Sequence, residues 1–214
     1  MHVCSKIVSA VLLLFSVSAS MPAAAMDYES MLSELQRDDW ENRLMSRVVL
    51  NDRQSEDALI GLVRNQATDW RLQIRCIRLL GEMHTPRAGD ALVELFNDLF
   101  FHHGCPALKT NLALALGNYT GRRVVDALIS GLEDPEVQVR EASIVSLGRV
   151  GDAAAVPYLV TELKDKSFTI RASAIRSLGQ LRDASAISPL KKIADSDSEV
   201  LLRREALSVL SAIR

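Results

Sequence analysis

The stretch DPEVQVREASIVSLGRVGDAAAVPYLVTELKD (134–165) is followed directly by KSFTIRASAIRSLGQLRDASAISPLKKIAD (166–195) and then by SDSEVLLRREALSVLSAIR (196–214). The first two segments align at an offset of 31 residues, which relates Arg140 to Arg171 and relates the Leu-Gly steps that follow them. Self-similarity with a fixed period of roughly 20–50 residues is the signature of repeat architectures. The internal repeat therefore decides the fold class.

The same pattern extends towards the N-terminus. Leu-Gly steps also occur at 80–81 and 116–117. In every complete copy a leucine lies eleven residues after the glycine, at Leu92, Leu128, Leu159 and Leu190. A fainter copy is expected over approximately residues 38–66, because Ala58-Leu59 there matches Ala91-Leu92.

Each copy is predicted to form two helices joined by a short turn. In the first segment quoted above, Val137, Ala142 and Val145 recur at helical spacing and predict the buried face of the first helix. Gly and Asp at 151–152 predict the turn. Pro157 then lies near the first turn of the second helix, where a missing N–H is harmless.

The composition agrees with a helical repeat protein. Hydrophobic residues make up 48% of the chain, but aromatic residues only 5%, and leucine and alanine are the most abundant. Both residues favour helices. A hairpin of about 30 residues cannot bury its apolar face alone, so such hairpins stack. We therefore expect an all-α fold, an α-solenoid of about five to six helical hairpins in a right-handed superhelical stack.

Residues 1–25 have the three regions of a secretory signal peptide. Lys6 precedes an apolar run over 7–17, and Ala23 and Ala25 form an A-x-A arrangement. The run is too short to cross a hydrocarbon core of roughly 30 Å. We expect cleavage after Ala25, and the alanine-rich cleavage site favours export to a bacterial periplasm.

The order Asp-x-x-Val-x-x-Arg, Ala, Leu-Gly and Val-Pro-x-Leu in residues 134–159 resembles HEAT repeats, in particular the short type also found in bilin lyases. The resemblance implies a structural ladder of contacts between neighbouring repeats, formed by Asp134, Arg140, Asp165, Arg171, Asp197 and Arg203. Asp69 and Arg75 have the same offset but stand two residues off the register of their Leu-Gly step. The resemblance covers 67–214 as HEAT-like repeats and leaves 26–66 as an N-terminal capping helix and degenerate repeat.

The connector between the second and third repeats is the longest, since the Leu-Gly steps on either side are 36 residues apart. It contains Phe100, Phe101, His102 and His103, which we consider the candidate partner-binding residues because aromatic anchors dominate many interfaces. The alternative is that both phenylalanines fill a groove between helices and the histidines are solvated. A metal site that includes Cys105 is not expected, because adjacent residues do not resemble spaced zinc ligands.

Other polar and apolar groups are expected to be structural. Cys76 and Cys105 are expected to be free, with Cys76 buried as a small hydrophobe.

Basic residues near the C-terminus are expected to form a solvated edge, and they are Arg182, Lys191, Lys192, Arg203 and Arg204. In the last repeat we expect Val200 and Leu207 to pack inward, and Leu201 and Leu202 to be partly exposed.

No catalytic motif of the serine hydrolase, P-loop, dinucleotide-binding or zinc protease type occurs, so no catalytic residue, metal or cofactor is predicted. A net charge of −2 argues against nucleic-acid binding. We expect an exported, non-catalytic scaffold that binds an unidentified protein or peptide, is not inserted in the membrane after signal cleavage, and is a monomer or self-associates weakly. Two alternatives stay open: a bilin-lyase-like or other small-molecule-handling protein, and a structural accessory subunit of an envelope complex.

Overall fold

The computed structural model describes residues 26–41, 43–44, 52–98 and 105–213, and the regular structure in these ranges is entirely helical. The α-helices are α1 (Tyr28–Leu35), α2 (Arg53–Arg64), α3 (Trp70–Met83), α4 (Pro86–Asn97), α5 (Pro106–Leu116), α6 (Arg122–Ser130), α7 (Val137–Val150), α8 (Val156–Glu162), α9 (Phe168–Leu181), α10 (Ile187–Ser196) and α11 (Val200–Ile213). Short 3₁₀ turns at Gly131–Glu133, Ala153–Ala155 and Ala184–Ala186 adjoin the second helices of three repeats. The predicted signal peptide, residues 1–25, lies outside the described residues.

The helices stack as a solenoid. The first helices of the repeats, α3, α5, α7, α9 and α11, each pack against the next one in order. The second helices α4, α6, α8 and α10 each pack against the first helix of the following repeat. At the N-terminal end α1 packs against α2 and α3. The predicted all-α solenoid of helical hairpins is confirmed.

In each Leu-Gly step the leucine packs into the core, and the glycine, which has no side chain, faces a neighbouring helix. The leucines of the four steps are fully buried, as are the leucines eleven residues after each glycine. A Cβ atom at Gly148 would lie 2.7 Å from the Cβ of Ser177 on the next first helix. Glycine therefore lets consecutive first helices approach more closely than any other residue would allow.

Helix starts and ends follow from local chemistry. Asp27, Asp52 and Asp69 accept hydrogen bonds from backbone N–H groups in the first turns of α1, α2 and α3. Helix α7 ends at Val150 and is capped by Gly151, whose φ of 78° is the left-handed conformation that glycine adopts without strain. Among the described residues no helix is long and apolar enough to cross a membrane.

Candidate functional site

The turns that connect the second helix of one repeat to the first helix of the next form one edge of the stack, which we call the loop edge. In the last three turns the aspartate Oδ1 accepts a hydrogen bond from the backbone N–H two residues later, with donor–acceptor distances of 2.9, 2.6 and 2.9 Å. The arginine six residues after each aspartate donates from Nη1 to that aspartate's own carbonyl. The pairs are Asp134 and Arg140, Asp165 and Arg171, and Asp197 and Arg203.

Two of these arginines also reach the next turn. Arg171 donates from Nε and Nη2 to the two carboxylate oxygens of Asp197, at 3.0 and 3.3 Å. The side chains of this pair are only 12% and 6% exposed. Arg140 makes a longer contact of 3.8 Å with the carboxylate of Asp165. Each arginine therefore joins the backbone of its own turn to the side chain of the next turn.

Lys109 and Gln73 occupy the arginine position in the two preceding repeats, eight residues before the glycine of the Leu-Gly step. Lys109 Nζ lies 2.5 Å from Asp134, and both side chains are almost fully buried. Gln73 is also buried, and its amide donates to the carbonyl of Val63 at 2.8 Å. Counting back from the glycine identifies both residues, whereas a search for the Asp–Arg offset misses them.

Arg75 has a different role from the arginines of the last three turns. Its guanidinium donates to the carbonyls of Leu35 and Arg37 and lies 5.3 Å from the centre of the Trp40 ring. It thus holds the segment after α1 against α3. The two-residue discrepancy in register between Asp69 and Arg75 therefore corresponds to a different set of contacts.

An apolar residue is exposed at the start of each first helix from α3 to α11. We call this set, one residue per repeat, the apolar stripe: Trp70, Pro106, Val137, Phe168 and Val200. The four larger side chains are 38–49% exposed. Val137 and Val200 were expected to be buried and are not, because the first position of the helix faces the loop edge and not the neighbouring helices. The stripe residues recur at one position of each repeat, so they follow one edge of the stack.

A groove opens on the loop edge between α8 and α10, with a cavity volume of about 460 Å³. We call it the lysine groove. Apolar side chains and two lysines line it, together with the Arg171–Asp197 pair: Val160, Leu163, Pro189, Ile193, Lys164 and Lys192. Both lysines are exposed, and no carboxylate of the described ranges lies within ion-pair distance of either. Lys192 belonged to the expected solvated edge, and its position in a groove comes from the helix packing.

A second, smaller groove between α3, α5 and α7 is lined by polar groups that bind one another. Asn118 Nδ2 donates to the carbonyl of Gly81 at 3.0 Å and to Glu82 Oε1 at 3.2 Å. Arg149 Nη1 in turn donates to Asn118 Oδ1 at 3.4 Å. Because these polar groups already form hydrogen bonds with one another, they are less available to a partner than the lysines of the lysine groove.

The connector residues Phe100, Phe101, His102 and His103 lie outside the described residues, so their candidate role stays a prediction. Cys105, which precedes α5, is half-buried and free, and Cys76 is buried and free. Burial raises the pKa of the Cys76 thiol to about 12. No group of three or more potential metal ligands is present in the part of the chain that the structure describes.

The C-terminal helix presents a different set of leucines to solvent than its pattern predicts. Leu202 is fully buried, whereas Leu207 is 57% exposed and Leu201 is 64% exposed. Ile144 and Ile175 occupy the position of Leu207 in the two preceding repeats and are fully buried. They are buried because the first helix of another repeat follows them, and no described helix follows α11.

Comparison with known proteins identifies the same repeats. The family model for HEAT repeats matches residues 98–168 and 125–211, and that for the PBS lyase HEAT-like repeat matches residues 72–98. No curated protein matches the chain significantly.

Solved structures of helical repeat proteins are similar over most of the chain. A chain of the complex of CpcE and CpcF of phycocyanin lyase from Nostoc sp. PCC7120 has a TM-score of 0.55 at 23% identity, covering 88% of this chain and 77% of that chain. A designed armadillo repeat protein in complex with the peptide (KR)4 has a TM-score of 0.56 at 14% identity, covering 88% and 100%. An engineered protein has a TM-score of 0.54 at 18% identity, covering 87% and 96%. At these identities the similarity shows a shared fold.

Proposed function

The chain belongs to the HEAT-repeat family, and from that premise we propose that it is an exported, non-catalytic scaffold that binds another protein through its loop edge. The observation that supports this proposal most strongly is the lysine groove beside the apolar stripe. The exposed stripe residues and the apolar lining of the groove, with two exposed lysines beside it, give the loop edge the combination of apolar and polar surface that marks many interaction sites.

The shared fold adds support of a general kind. The designed armadillo repeat protein was solved in complex with a peptide, and the phycocyanin lyase chain was solved in a complex of CpcE and CpcF. Stacked helical hairpins form extended surfaces that suit such partners. The residues of this chain that support protein binding lie at the loop edge, in the lysine groove and the apolar stripe.

Site-specific photocrosslinking tests the proposal. A photoreactive phenylalanine analogue replaces Phe168 on the apolar stripe, and in a control protein it replaces Tyr158, an aromatic residue of similar exposure on α8 that does not line the lysine groove. We expect one protein to be crosslinked in near-stoichiometric amount from position 168 and not from position 158. Capture from neither position, or equally from both, contradicts binding at the loop edge.

Export is tested separately by intact mass. When the gene is expressed in a bacterial host, we expect the periplasmic protein to begin at or near Met26, because Ala23 and Ala25 precede the predicted cleavage site. A protein that keeps residues 1–25 and stays in the cytoplasm contradicts the export part of the proposal and leaves the binding part intact.

A lyase-like role in handling a bilin is the second candidate. It is favoured by the match of residues 72–98 to the PBS lyase HEAT-like repeat and by the structural similarity to a phycocyanin lyase chain. Incubation of the purified protein with biliverdin tests it. A red-shifted absorption band that comigrates with the protein supports this candidate, and an unchanged spectrum contradicts it.

A further inference from the structure

We propose that the lysine groove binds an extended acidic protein segment in which an apolar residue recurs at every third position, with carboxylates between. This inference rests on the proposed scaffold function and specifies the chemistry of the partner. It follows from the shape of the groove, from its charge, and from the spacing of the apolar stripe.

The floor of the groove is apolar, so a charged group without apolar atoms would bind to it poorly. Leu163 is almost fully buried, and Val160 and Ile193 are half-buried. The volume of about 460 Å³ is within the range of binding clefts, roughly 300–1,000 Å³. An aliphatic or aromatic side chain of a partner would remove this floor from water.

The acidic and the basic side chains at the groove differ in whether they are already paired. The two acidic side chains that line it, Asp165 and Asp197, already contact Arg140 and Arg171. The lysines that line it have no such partner within the described ranges. The groove therefore presents two available positive charges, and carboxylates of a partner complement them.

The apolar stripe sets the spacing that a partner needs. Neighbouring packed helices lie about 8–10 Å apart, so Phe168 and Val200, at the starts of neighbouring first helices, are expected at about that separation. An extended chain advances about 3.1–3.3 Å per residue, which makes roughly three residues per repeat. A segment with an apolar residue at every third position can therefore contact successive stripe residues and place carboxylates between them.

Nucleic acid fits this edge less well, although it is also anionic. Proteins that bind single strands stack bases on aromatic side chains beside a basic channel. The lining of the lysine groove is aliphatic and polar and includes no aromatic side chain on which a base could stack. A protein segment with its own apolar side chains is the occupant that these residues favour.

Three synthetic peptides, used with the purified protein, test the inference. The probe (Leu-Glu-Glu)4 has the required pattern, (Ser-Glu-Glu)4 lacks the apolar residues, and (Leu-Lys-Lys)4 has the opposite charge. We expect the probe to bind by fluorescence anisotropy, at least about tenfold more tightly than either control, and less tightly as NaCl is raised. Equal binding of all three peptides, no binding of the probe, or tighter binding to anionic vesicles than to the probe overturns the inference.

Two variants assign the binding to the groove. Lys164→Glu combined with Lys192→Glu reverses both groove charges, and we expect it to weaken probe binding about tenfold or more. Lys191→Glu is the control for Lys192→Glu alone, because both lysines are exposed on the same helix and only Lys192 lines the groove. An equal loss in the control overturns the assignment to the groove. Circular dichroism of each variant shows whether the helices are retained.

The acidic-segment inference and the scaffold function can fail independently in these tests. If photocrosslinking at position 168 captures a partner but the probe does not bind, the acidic-segment inference fails and the scaffold function stands. A captured partner whose crosslinked segment lacks acidic residues also overturns the inference. If position 168 captures nothing and the probe does not bind, both proposals fail.

Discussion

The repeats before and after Asp134 are joined by different polar contacts. After it, Arg140 and Arg171 are largely buried, and each binds both its own turn and the carboxylate of the next turn. Before it, consecutive second helices are joined by ion pairs whose side chains are 44–61% exposed, namely Arg87 with Asp57, Arg64 with Glu94, and Arg123 with Asp90. After Asp134 the turns are thus joined through buried arginines, whereas before it the second helices are joined by exposed pairs, and Gln73 and Lys109 take the arginine position.

The two kinds of contact differ in what the loss of a partner costs. A buried charge that loses its partner is costly, as the Asp197 carboxylate would be without Arg171. Exposed pairs contribute about 0–1 kcal/mol each. Substitutions in the two parts are therefore expected to differ in their effect on stability.

The largest effect is expected at the junction of the two parts. Replacement of Lys109 by Ala leaves the Asp134 carboxylate buried without its cation, and we expect the free energy of unfolding to fall by about 3–5 kcal/mol. Urea denaturation monitored by circular dichroism measures it. Lys191→Ala, which removes an exposed lysine, is the control and is expected to change stability by less than about 0.5 kcal/mol. A similar small change for both variants would mean that the buried pair does not stabilise the stack.

Within the C-terminal part, Arg171→Ala is expected to lower the free energy of unfolding by about 2–4 kcal/mol, because Asp197 loses a bidentate partner in a site with little exposure. The melting temperature should fall accordingly. Arg171→Lys keeps the charge but not the paired geometry, and its stability should lie between those of the wild type and the alanine variant. An unchanged melting temperature for Arg171→Ala would contradict the structural role of this contact.

The close approach of first helices gives a third test. Gly148→Ala places a Cβ atom 2.7 Å from that of Ser177, and we expect a loss of about 1–3 kcal/mol because two packed helices must separate. Gly61→Ala is the matched helical control. The nearest atom to its added Cβ lies 3.7 Å away on Tyr28, so the substitution should be neutral or stabilising by up to about 1 kcal/mol. Equal destabilisation by both would show that helix contact is not the reason for the Leu-Gly step.

The smallest effect is expected for the exposed pairs of the N-terminal part. Arg123→Ala removes the contact with Asp90. The side chains of Arg123 and Asp90 are 61% and 55% exposed. We expect a change below about 1 kcal/mol, decreasing further in high salt. Denaturation at low and high NaCl measures it. A loss as large as that of Arg171→Ala would remove the contrast between the two parts of the stack.

Much of the architecture was predictable from the sequence, and parts of the site were not. The periodic leucines and the Leu-Gly steps predicted the hairpins, because apolar residues at helical spacing are buried wherever helices stack. The lysine groove could not be predicted, because Lys192 and Lys191 are equivalent in sequence and differ only in the direction each takes from α10. The burial of Leu202 and the exposure of Val200 likewise depend on the rotation of α11 against its neighbours.

The sequence by itself determined the solenoid, the number of residues in each repeat and the leucines that form its core. The physical reason is that a helical hairpin with an apolar face and a fixed period can cover that face only with another copy of itself. Only the tertiary structure decided which polar groups meet. Gln73, Lys109 and Arg171 occupy equivalent positions, but each partner is set by the path of a neighbouring turn, which local sequence does not encode. It also decided where two second helices leave a groove, since that depends on how side chains from both helices pack together.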